Sequence, residues 1–131
     1  MEDKRRHVRL PKEFRVEVNE FKFPLARQPK IEVPSVDISA GGLRVECGQK
    51  FEVGDKLQVK IFIPSLNKYH PGFFKVFESD TGQYLQVIAE VVRRDELVPL
   101  TRYAYGLRYL DVDVDDRKAL HSFIRKAVEN Q

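Results

Sequence analysis

Two short segments hold the residues whose types and spacing could do chemistry. The first, Arg5-Arg6-His7-Val8-Arg9, contains Arg-x-x-x-Arg inside a strongly basic stretch. Residues 1–12 carry five basic against two acidic side chains, a net of +3, which equals the formal charge of the whole chain. The rest of the sequence therefore sums to zero. Charge gathered in one short arm suits a small anion, although a basic terminal cluster by itself reads most simply as a solvated tail. The second segment, Asp37-x-Ser39-x-x-Gly42, pairs a carboxylate and a hydroxyl with Gly41 and Gly42. Taken alone it reads as an Asx or Ser turn with glycines supplying positive φ.

Other chemistries find little support. His7, His70 and His121 are far apart and show no metal-ligand spacing, so no metal site is expected. Ser39 is not in a Gly-x-Ser-x-Gly elbow, and no glycine-rich loop leads into a phosphate-binding Lys. The chain is expected not to be an enzyme. The single Cys47 cannot form an internal disulfide, which fits a reducing cytoplasm. No long uncharged window exists, and the amino terminus runs straight into charge, so neither membrane insertion nor a secretory leader is expected. The sequence pI near 9.0 admits a small β-barrel that binds RNA or single-stranded DNA. No stripe of aromatics interleaved with basic residues along one sheet face is visible, so nucleic acid is an unfavoured partner.

The elements that must position these segments follow from periodicity. The chain has 131 residues and 42% hydrophobic content, enough for one core. Phe14, Val16 and Val18 alternate with Arg15, Glu17 and Asn19, the signature of a half-buried strand. A second strand is expected through Ile31 and Val33 toward Val36, and a third through Leu43, Val45 and Cys47, with Asp37–Gly42 as the tight turn between them. After a turn at Val53-Gly54-Asp55, Leu57, Val59, Ile61 and Ile63 make a fourth strand that Pro64 stops. Residues 65–82 read as a long excursion or hairpin with exposed-looking aromatics Tyr69, Phe73, Phe74 and Phe77 and a short strand around Phe74 to Phe77; Tyr69, Phe73 and Phe74 are candidates for a partner patch, with core the commoner reading of such residues. Tyr84–Arg93 and Tyr103–Leu110 complete the strands. Leu120, Phe123, Ile124 and Ala127 then switch to helical spacing, with Asp113, Asp115 and Asp116 where a helix amino terminus favours negative charge. The expected fold is mostly β: a closed or split antiparallel β-barrel of about six strands with a C-terminal α-helix. It divides into a basic arm (1–12), a barrel (13–112) and a helix (113–131), all one domain.

Together, the two motifs are far more specific than either alone. Arg-x-x-x-Arg ahead of a β-barrel, followed after 27 intervening residues by Asp-x-Ser-x-x-Gly, resembles the PilZ family of bacterial cyclic di-GMP receptors. Ala89-Glu90-Val91-Val92-Arg93, Tyr105-Gly106-Leu107-Arg108-Tyr109 and the terminal helix resemble that family's later elements. The 65–82 excursion is longer than the family pattern.

The resemblance implies a cytoplasmic second-messenger receptor with no cofactor, whose ligand cyclic di-GMP is held by Arg5, Arg6, Arg9, Asp37, Ser39, Gly41 and Gly42. The ligand's chemistry suits these residue types. An arginine fork meets phosphate oxygens or the O6 and N7 acceptors of guanine, and it also stacks on a base face. Asp37, an acceptor-only group, matches the N1 and N2 donors of guanine and would reject adenine. Ser39 adds a small donor and acceptor, and the glycines allow close approach. Signalling would follow from ordering of the arm over the ligand and a changed contact with a downstream protein partner. Lys4, just ahead of the arginines, leaves open whether one ligand or an intercalated pair binds. A PilZ-like adaptor that has lost nucleotide binding is the remaining alternative.

Overall fold

The computed structural model describes residues 14–24, 28–64 and 83–129. The basic arm, His7, His70 and the excursion with its aromatics lie outside the described residues. The elements run β1 (Phe14–Glu20), β2 (Ile31–Ile38), β3 (Gly42–Cys47), β4 (Lys56–Phe62), β5 (Tyr84–Val98), β6 (Arg102–Asp111) and α1 (Val114–Glu129). All strand pairings are antiparallel, and the order β1-β2-β3-β6-β5-β4 closes on itself because β4 also pairs with β1. Closure leaves no open sheet edge along the six strands, the outcome expected of so many short alternating segments.

The alternating positions fill the interior. Val16, Val59, Ile61, Leu85, Ala89 and Val91 are wholly buried, each flanked by a polar or half-exposed neighbour. The turn before β4 is built as its residues demand: Gly54 sits at φ 99°, and the Asp55 carboxylate accepts from the Glu52 N–H at 2.9 Å. Helix α1 begins where its acids predict. The Asp113 carboxylate accepts from the Asp115 and Asp116 N–H groups, satisfying two donors that the helix itself leaves open. Its apolar stripe, Leu120, Phe123 and Ile124, is buried, and the Phe123 ring meets Phe14 edge-on at 5.7 Å. The helix thus packs where β1 begins.

Three local expectations are corrected. Asp37 and Ile38 belong to β2, not to the turn. Ser35 and Ile38 are both buried although three residues apart, a spacing that a regular strand cannot give; a bulge between Ser35 and Asp37 absorbs the extra residue. Strand β5 runs five residues beyond Arg93, to Val98, and pairs with β6 all the way to Arg102. Finally, an aromatic and basic row does exist on the outer face: Arg15 pairs with Phe62 and Phe62 with Tyr84 across β1, β4 and β5.

Candidate functional site

The Asp-x-Ser-x-x-Gly segment is a turn held by its own serine. Ser39 is 3% exposed, and its hydroxyl accepts from the Gly41 and Gly42 N–H groups and donates to the Gly42 carbonyl, each at 3.2 Å. The Ser39 N–H adds a 2.9 Å bond to the same carbonyl. A hydroxyl so engaged shapes the loop as a Ser turn, but neither Gly41 nor Gly42 supplies the positive φ expected of it; among the described glycines only Gly54 has one. Asp37 stands just before it, half-buried and opposite Arg44 in the β2–β3 ladder. The Arg44 guanidinium lies 3.7 Å from Asp95 and 4.0 Å from Glu46.

Gly42 has a purely structural constraint. It opposes Arg108 in the β3–β6 ladder, and a Cβ built on it would run into the backbone carbonyl of Leu107. The strands could not keep this approach with any side chain at position 42. Gly41 meets β6 too, its carbonyl accepting from the Tyr109 N–H at 3.0 Å. Arg108 itself points outward and pairs with Glu90 at 2.8 Å. The sequence pattern marks Arg108 only as an outward strand residue, because its nearness to Gly42 depends on pairing two positions 66 residues apart.

Asp37, Ser39, Gly41 and Gly42 are thus brought together at one barrel rim, and β1 begins at the same rim. Phe14, the first described residue, pairs with Ser35, and its N–H donates to the Ser35 hydroxyl at 3.3 Å. Two residues on from Ser35 is Asp37. An open depression of about 600 Å³, with Phe14, Arg15, Glu32, Val33 and Pro34 in its lining, lies beside this entry point. Arg5, Arg6 and Arg9 lie outside the described residues.

The outer aromatic row is chemically occupied. The Arg15 guanidinium stands 3.8 Å over the Phe62 ring and the Lys60 ammonium 4.9 Å over Tyr84. Each ring already holds a cation from the protein on one face, so a base stacking on that face would have to displace it. Among the described residues, no group of three His, Cys, Asp or Glu side chains is placed to hold a metal ion, and no helix is long and apolar enough to cross a membrane.

No curated protein sequence matches the chain. Among solved structures, it is similar to the Bacillus subtilis inhibitor of motility MotI/DgrA, at TM-score 0.73 and 20% identity, over 99% of this chain and 54% of that one. It is similar also to the PilZ domain of Escherichia coli YcgR with c-di-GMP (TM-score 0.65, 12% identity, 98% and 94% covered). A third is the K. pneumonia MrkH–c-di-GMP complex (TM-score 0.58, 10% identity, 99% and 55% covered). The chain spans about half the length of MotI/DgrA and of MrkH, and at these identities the likeness is one of fold. The PilZ domain family model matches residues 3–126, nearly the whole sequence with both motifs inside it, and the chain belongs to the PilZ family.

Proposed function

We propose that this chain is a cyclic di-GMP receptor domain, a binding module with no catalytic step of its own, acting in the bacterial cytoplasm. The observation that carries the reading is the shared rim. Phe14, the start of β1, pairs with Ser35, two residues from Asp37, and Arg9 of the arm lies only five residues before Phe14 in the sequence. Five residues span at most ~18 Å when extended, which keeps Arg9 within reach of a small ligand lodged at the Asp37–Gly42 segment, with Arg6 and Arg5 following it on eight- and nine-residue tethers. The YcgR PilZ domain and MrkH, both similar in fold, are c-di-GMP complexes. In this reading the arginines take phosphates and guanine edges, and Asp37 accepts from guanine donors. Ser39 and Gly42 keep the turn in shape, with Gly41 presenting backbone beside it.

Closing the arm fixes residues at roughly 1–2 kcal/mol each. The charge-assisted contacts to the ligand must exceed this sum before the arm orders and alters contact with a protein partner. A base-stacking nucleic-acid surface is disfavoured by the capped Phe62 and Tyr84 rings.

Calorimetric titration with cyclic di-GMP, against cyclic di-AMP and GTP, tests the proposal. Selective heat with cyclic di-GMP is expected; equal affinity for cyclic di-AMP, or no heat at all, overturns it. Asp37→Ala should narrow the gap between guanine and adenine ligands. Arg9→Lys keeps the charge and loses the fork, so it should cost about 1–3 kcal/mol, or five-fold to over a hundred-fold in affinity.

A further inference from the structure

Helix α1 carries a second basic feature, on the face turned away from the barrel. Arg117, His121 and Arg125 recur at i, i+4 and i+8, Lys118 lies beside them, and all four are exposed. The spacing places them on one side of the helix, along a line of about 12 Å from Arg117 to Arg125.

The contrast with the barrel gives this stripe meaning. The arginines of the described strands, Arg15, Arg44, Arg93, Arg94, Arg102 and Arg108, each have a carboxylate within 4.0 Å. Among the described residues, no carboxylate lies within that distance of Arg117 or Arg125. Val114, 66% exposed, sits at the amino-terminal end of the same face and offers an apolar contact. Carboxylates bracket the stripe: Asp113 and Asp115 at one end and the exposed Glu129 at the other. An extended anionic surface, whether lipid or nucleic acid, would meet these ends as well as the centre. A short acidic segment of two or three helical turns would fit between them.

We propose that the outward face of α1 is a docking surface for an acidic protein segment, with Arg117 and Arg125 as its principal contacts. The proposal rests on the protein-partner half of the functional reading and not on nucleotide binding, so it is tested on the full chain without nucleotide. The probe is a 20-residue helical peptide with glutamate at three successive fourth positions in its centre and neutral residues elsewhere, titrated into ¹⁵N-labelled protein; its control carries glutamine at those positions. The expected result is salt-sensitive shifts of amides within residues 114–126, absent with the control. Binding should weaken at least five-fold in Arg117→Glu/Arg125→Glu and less in Arg117→Gln/Arg125→Gln. Both pairs are exposed substitutions, and circular dichroism confirms that the helix is retained. A reversal at paired Arg93 should leave the binding unchanged. No shifts in α1, or shifts that persist in the reversed variant, overturn the proposal. So does equal or stronger binding of α1 to vesicles with 30% phosphatidylglycerol, which would assign the face to a membrane.

Discussion

Replacing Gly42 with alanine separates the architecture of the motif from its chemistry. The new Cβ would collide with the Leu107 carbonyl, an atom of the β6 backbone that cannot swing aside as a side-chain tip would. Shifting β6 means shifting its ladders to β3 and β5 together, since the barrel is closed. Overpacking of this kind costs about 1–3 kcal/mol, and a backbone obstacle belongs at the upper end. Alanine recovers about 0.5–1 kcal/mol of the entropy penalty that glycine carries in a strand. The net loss is about 2 kcal/mol, which for a domain of this size lowers Tm by roughly 8 °C. Thermal denaturation without ligand reads this directly, and calorimetry with cyclic di-GMP reads the site. A Tm within about 2 °C of the parent would refute the steric argument; if binding were lost at the same time, Gly42 would be a ligand contact instead of a strand contact.

Three other outcomes follow from the described geometry. Tyr105→Phe removes a hydroxyl that donates to the Gln49 carbonyl at 2.6 Å and accepts from the buried Phe51 N–H at 2.8 Å, so urea unfolding should show a loss of about 1–3 kcal/mol. Asp113→Ala takes the cap from α1 and should cost about 1 kcal/mol in the same assay, with Asp113→Asn close to the parent. Burial raises both the Cys47 thiol from 9.0 and the Tyr105 phenol from 10.0, so the unfolded chain loses these protons first. Their stabilising effect is present below those ordinary values and lost as pH rises through the raised ones. The urea midpoint should fall above about pH 9, and less steeply in Cys47→Ala; an identical fall in the variant would refute the assignment.

What the sequence made legible was whatever one face of burial imposes. Leu57, Val59, Ile61 and Ile63 alternate because β4 has the core on one side and solvent on the other, and each is buried where the alternation places it. The far end of β5 escaped because Val92, Leu97 and Val98 are exposed. Past Val91 the hairpin has less core to face, and its bulges break the period. Asp37 and Ile38 read as turn because Asp, Ser and Gly share turn chemistry; only the bulge after Ser35 reveals that β2 continues through them. In the candidate site, Ser39's turn was readable from local rules, since its partners are two and three residues away. The demand on Gly42 was not, because it comes from Leu107, and no local pattern announces which distant strand will lie alongside. The Tyr105 hydroxyl was hidden for the same reason, its partners being 54 and 56 residues upstream.

The strand order also sets a timetable. β1 to β5 can assemble as an open sheet, β3-β2-β1-β4-β5, and only β6 joins its two ends. The strand that backs the Asp37–Gly42 segment, bonded from Tyr109 to Gly41, leaves the ribosome more than sixty residues after it. At about 5–20 residues per second, that is a wait of roughly 3–13 s. During this time the nascent sheet has two bare edges and an unfinished rim. A chain cut short before β6 would therefore keep every motif residue and lack the strand that backs them, and under the proposed function ribosome-stalled chains ending before Arg102 should retain no nucleotide.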